Sequence, residues 1–217
     1  MPTVQVSPGP LPQISLGSGV SVNQPADNLG GAIISQLFGK YYNLARAGLV
    51  FHGATAAAGV LIPISTTTGP TFALWNPSNS GKNLVLIRYA LGLISTLGAA
   101  GTVVYMIQTG VGSNIGTGAP ITAVTTGTAQ NGIVGGGANS IAKFVPGTVT
   151  LTTAGTLYDT PGFSQGANAP AAVINPIMFD DIDGRIILPP GTIWYTAGTA
   201  ALLSTFFQGV SWAEVPT

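Results

Sequence analysis

Residues 72–109, FALWNPSNSGKNLVLIRYALGLISTLGAAGTVVYMIQT, decide how the rest of the chain is read. Two runs dominate the stretch, 83–95 and 102–109, both rich in Val, Ile, Leu and Tyr and preceded by the polar knot 76–81, NPSNSG. Side chains branched at Cβ and aromatic rings suit a pleated, buried surface, so both runs read as strands. Gly98 and Gly101 lie between them, where a reversing chain adopts positive φ at little steric cost, and the two strands are expected to pair as the centre of the protein. The rival reading is a single apolar helix over 84–107 that crosses a bilayer, with Arg88 as its sole charge. Gly92, Gly98, Gly101 and the polar break at Ser95 and Thr96 favour two strands over a continuous helix.

Composition narrows the class. The chain has 217 residues, six basic and six acidic, and a charged fraction of 6% against 46% hydrophobic residues. Ordinary globular domains carry about a quarter charged residues, so this surface is poorly solvated as a free monomer and is expected to be covered in an assembly. Nucleic-acid binding needs a basic patch, and six scattered Lys and Arg provide none. Cysteine is absent, which removes disulfides, thiol catalysis and Cys-based metal sites. The N-terminal MPTVQVSPGPLPQ has no basic residue ahead of an apolar core, so no secretory signal is read there and export by the general route is not expected.

Three segments follow from the pattern. Residues 1–28, with Pro2, Pro8, Pro10, Pro12 and Pro25, read as an extended arm. Its apolar residues, among them Val4, Val6, Leu11, Ile14 and Leu16, are expected to bury against a neighbouring subunit. Residues 29–48 read as the one helix, with Ile33, Ile34, Leu37, Phe38, Tyr41 and Leu44 at helical spacing, Asp27 or Asn28 as cap and Gly48 as stop. Phe38, Tyr41 and Tyr42 form an aromatic run on this helix that suits core packing or a subunit contact. Residues 49–217 read as a β body: apolar runs at 49–53, 60–64, 71–75, 141–145, 148–153, 171–179, 185–188, 192–196 and 202–215 alternate with Gly, Pro and Asp turns. The Gly- and Thr-rich tract 110–137 reads as a long surface excursion. Frequent turns and no helix–strand alternation after Gly48 predict an all-β, jelly-roll-like β-sandwich.

Motifs with chemical precedent fail on context. Residues 162–166, GFSQG, match the nucleophile elbow, but Pro161 precedes them, Gly166 and Pro170 follow, and the sole histidine, His52, comes too early in the chain for that hydrolase order. Residues 110–116, GVGSNIG, resemble a dinucleotide loop with the last glycine one place late, and Gly118 and Pro120 oppose the helix such a loop needs. Asp180, Asp181 and Asp183 offer oxygens to a cation, but their spacing is not that of an EF-hand, and a turn with Arg185 as counter-charge is the expected structure. No catalytic, cofactor-binding or metal-ligating residue is expected.

The segment LWNPSNSGKNLVLIRYALGLIS, together with ILPPGTIWYTAGTA and GVSWAEVPT near the C-terminus, resembles small virion proteins of tailed bacteriophages. The resemblance covers about two thirds of the chain and leaves out the arm and the helix. It implies a capsid decoration or cement protein, often trimeric, that touches the major capsid protein or other virion proteins on the capsid surface after assembly in the host cytoplasm. On this reading it is a structural protein and not an enzyme, without cofactor, nucleic-acid partner or membrane. Two other classes stay open: a tail or fibre component whose loops at 110–137 bind host glycans, and a membrane-embedded protein.

Overall fold

The computed structural model describes residues 39–95, 98–109, 128–151, 153–166 and 177–217. The chain forms two compact units, Met1–Tyr42 and Asn43–Thr217. The arm 1–28 and residues 29–38 of the expected helix lie outside the described residues. Within them the helix α1 is short, Tyr42–Arg46. It stops as the sequence predicts: Gly48 has φ +71°, its N–H donates to Ala45 O, and Leu49 N donates to Leu44 O. This pair of bonds is a Schellman cap, which needs a residue that tolerates positive φ.

Among the described residues thirteen strands follow: β1 (Val50–Ala54), β2 (Val60–Leu61), β3 (Ala73–Asn76), β4 (Lys82–Leu93), β5 (Gly101–Gln108), β6 (Gln130–Asn131), β7 (Lys143–Val145), β8 (Thr156–Asp159), β9 (Ser164–Gln165), β10 (Ile177–Asp181), β11 (Ile187–Leu188), β12 (Thr192–Gly198) and β13 (Thr205–Pro216). One sheet runs β10-β4-β13-β1-β6 and the other β7-β3-β12-β5-β8, with every ladder antiparallel. Remove the edge additions β6 and β7, and the two four-stranded sheets β1-β13-β4-β10 and β3-β12-β5-β8 have the strand order of a jelly roll. The protein is an all-β jelly-roll sandwich.

That topology corrects the expected central hairpin. β4 and β5 are the two runs identified in the sequence, but they do not pair: β4 lies between β10 and β13, and β5 between β12 and β8, in opposite sheets. Their contact is face to face, through the edge-on rings of Tyr89 and Tyr105 with centroids 5.5 Å apart. The glycines between them also do different work. Neither Gly98 nor Gly101 has positive φ. A Cβ on Gly98 would come within 2.7 Å of Leu203 Cβ, and one on Gly101 within 2.6 Å of Leu202 Cδ2. The link crosses between sheets, and its glycines are there because Leu202 and Leu203 press on it.

The core is a chain of rings between the sheets. Trp194 touches Phe72, Tyr89 and Tyr105 at 5.1–6.2 Å between centroids, while Phe144 joins Phe72 to Trp212 and Trp212 stacks on Phe51. Gln208, fully buried on β13, ties the layers polarly: its Oε1 accepts from Tyr89 O–H at 2.8 Å and from Thr196 Oγ1 of β12 at 2.7 Å. The second sheet is covered on its outer face too. Residues 148–153, expected as a strand, form none among the described residues. Val149 and Leu151 donate instead to Pro70 O and Thr68 O and pack over Trp75, Val104, Met106 and Ile193. Among the described residues the outer face of the first sheet has no such cover around His52, Arg88 and Gln130, which are exposed.

Candidate functional site

A bulge on β4 creates the most distinctive surface feature. Ser211 pairs with Arg88 and Trp212 with Leu86, so Ile87 is the extra residue. Without it Leu86 and Arg88 would point to the same face. With it Leu86 is buried and Arg88 emerges on the outer side, the re-aiming that bulges perform. Arg88 thereby joins a cross-strand row: Asp181 pairs with Arg88, Arg88 with Ser211, Ser211 with His52, and His52 with Gln130. Five neighbouring strands contribute one polar side chain each, a row about 19 Å long at the usual strand spacing.

Within the row the bonds fall into two groups. Arg88 Nε donates to Asp181 Oδ1 at 2.7 Å, and the Phe179 ring lies 5.4 Å from the guanidinium carbon. His52 Nδ1 and Ser211 Oγ share a hydrogen bond of 2.8 Å. Partial burial holds the imidazole below its ordinary value, so His52 is neutral at pH 7. Beside the row a groove of about 380 Å³ is floored by Ala54, Ala90 and Gly209 and flanked by Thr128 and Gln130.

The acidic cluster is built differently from the expected turn. Asp180 and Asp181 are the last residues of strand β10 and point to opposite faces, and the turn begins only at Asp183, φ +52°, and Gly184, φ +85°. Alternation sends Asp181 out to Arg88 and Asp180 in, where its Oδ2 accepts from Tyr105 O–H and from Arg185 Nη2, each at 2.8 Å. Arg185 is the counter-charge read from sequence, and it reaches further: its Nε donates to Asp159 Oδ2 of β8 at 3.1 Å. One guanidinium thus bridges the edge strands of the two sheets. Among the described residues no three His, Cys, Asp or Glu side chains gather as a metal site.

No family model, curated protein or solved structure matches this chain. Its function is therefore argued from the placement of its own residues.

Of the assembly residues named from sequence, Val4, Val6, Leu11, Ile14, Leu16 and Phe38 lie outside the described residues, as do 110–116 of the dinucleotide-like loop. Tyr41 is half-buried beneath the Lys40 ammonium, 5.3 Å from its ring, and Tyr42 is exposed. Sequence reasoning missed a second apolar surface. Ile177 is 70% and Phe179 61% exposed on β10, and Leu157 58% and Tyr158 49% on β8. Both strands end their sheets, with one hydrogen-bonded flank each open among the described residues. The signal in the sequence was faint: TLYD at 156–159 sits among Gly and Thr and reads as loop.

The elbow motif is a strand. Ser164 opens β9, which pairs with β5, and Ser164 Oγ accepts from Thr102 Oγ1 at 3.3 Å. His52 belongs to the other sheet. Replacing Ser164 by Ala removes one long exposed hydrogen bond, and thermal denaturation is expected to show a change within about 0.5 kcal/mol. A larger loss would mean that Ser164 carries a role its contacts do not explain. No helix among the described residues is long and apolar enough to cross a membrane, and the 84–107 run is split between two sheets.

Proposed function

We propose that the chain is a structural protein of a virus particle, seated on the capsid surface as a decoration or cement protein. The observation that carries this reading is the apolar pair of edge strands. Isolated sheets normally blunt their edges with charge or cover, because open backbone groups beside apolar side chains invite another chain. Here β8 and β10 flank the same side of the sandwich and present Leu157, Tyr158, Ile177 and Phe179. A neighbouring subunit or capsid protein that docks there buries apolar area and adds main-chain hydrogen bonds, so adhesion comes from many weak contacts. The low charge of the chain, the jelly-roll body and the resemblance to phage virion proteins support the same reading.

The chain is accordingly expected to form a closed homo-oligomer, a trimer by that resemblance, since a closed ring protects exposed edges. Sedimentation of the purified protein at micromolar concentration and ordinary salt checks this, and a monodisperse monomer counts against it. Electron microscopy of particles assembled with the tagged chain tests the location directly. Density on the head surface is expected, and label confined to the tail or absent from particles overturns the proposal.

A further inference from the structure

The outer groove of the first sheet points to a second property, which the particle role does not require. We infer that it binds a neutral saccharide between Ser211, His52 and Gln130. Charge argues for neutrality. Among the described residues Arg88 is the only cation lining the groove and is held by Asp181, and His52 is uncharged at pH 7, so a phosphate or carboxylate finds no free counter-ion there. What the groove offers is hydrogen-bonding capacity of both signs. With Nδ1 engaged by Ser211, His52 keeps Nε2 for another partner, and among the described residues the side chains of Gln130 and Thr128 make no hydrogen bond. A polyhydroxylated ring supplies donors and acceptors together, matching an imidazole, a primary amide and two hydroxyls.

The floor supplies the second argument. Gly209 sits in the middle of the long strand β13, where glycine weakens a strand and packing usually prefers a larger residue. Nothing in the fold demands it: its φ is ordinary, and an added Cβ would meet Gly53 O, Ala54 Cβ and Ala90 Cβ only at 3.7–3.9 Å. Its neighbours across the ladders, Ala54 and Ala90, are equally small. A flat floor free of side chains lets a ring lie against the sheet within reach of the polar row.

The test uses saturation-transfer NMR on the full chain with lactose, maltose and N,N′-diacetylchitobiose at millimolar concentration. Transfer to the ring protons of at least one of the three is expected. Gly209→Val fills the floor, its Cβ meeting nothing nearer than 3.7 Å, and should reduce binding at least about tenfold while leaving the melting temperature equal or higher. Gln130→Ala, at an exposed edge position, should weaken binding with the fold intact. Absence of transfer to all three sugars overturns the inference, and so does transfer that persists unchanged in both variants. Neither result bears on where the protein sits in a particle, which is read by microscopy.

Discussion

Raising the pH from about 10 to about 12 is expected to unfold this protein cooperatively. Three of its six tyrosines, Tyr89, Tyr105 and Tyr195, are fully buried in or against the second sheet, and burial pushes each phenol above its usual value. For Tyr105 the Asp180 carboxylate that accepts its hydrogen bond adds to the effect, whereas for Tyr195 the Gly155 N–H, donating at 2.6 Å, partly opposes it. These groups keep their protons in the folded state and lose them near pH 10 when unfolded, so the unfolded state binds fewer protons and stability falls as pH rises. Their contribution is intact below pH 10. Above it, three such groups give a slope approaching about 4 kcal/mol per pH unit, and two units remove about 7 kcal/mol, comparable with the roughly 5–15 kcal/mol that holds a domain together. Tyrosinate absorbance should therefore rise in step with the change in tryptophan fluorescence. Gradual ionisation of all tyrosines with the fluorescence unchanged would contradict the burial described for these rings.

Glu214→Ala is expected to cost about 3 kcal/mol, the typical result of stripping a buried acceptor from several donors. Glu214 is completely buried near the end of β13. Its Oε1 accepts from Ser140 Oγ at 2.6 Å and Ile141 N at 2.8 Å, and its Oε2 accepts from Lys82 Nζ at 3.0 Å. The carboxylate pins the segment that leads into β7. The bond to Lys82 is partly exposed and contributes little, so the loss comes from the orphaned donors of Ser140 and Ile141. The melting temperature should drop by about 6–12 °C at this chain size. Glu214→Gln, which retains one acceptor oxygen, should lose about 1 kcal/mol. Equal losses in the two variants would show that the ion pair and not the acceptor geometry matters.

Strand identity was legible in the sequence and strand pairing was not. β1, β3, β4, β5 and β12 fall within a residue or two of apolar runs visible in the sequence, and β13 starts three residues inside its run, because burial selects Val, Leu, Ile and aromatic residues at those positions. Pairing failed because consecutive strands usually neighbour each other, and a jelly roll breaks that habit by sending β3 to β4 and β4 to β5 across the core. Nor did apolar alternation disclose the bulge at Ile87. In the sequence LVLIRY the bulge residue is one more hydrophobe, and only the ladder with β13 reveals that Arg88 has changed face. The polar row across the first sheet depends on that single register shift, so a search for motifs could not have found it. The acidic cluster was half legible: Arg185 was correctly paired, but the strand that separates Asp180 from Asp181 was hidden by the local abundance of Asp and Gly.

The middle strand of each sheet, β13 in one and β12 in the other, comes last in the chain. During synthesis β1, β3, β4 and β5 all leave the ribosome long before the partners that lie between them exist. Each carries an apolar face and an open ladder edge throughout that interval, and neither half of the sandwich can close early. Closure of each sheet thus waits for the synthesis of β12 and β13, the keystones that the earlier strands flank.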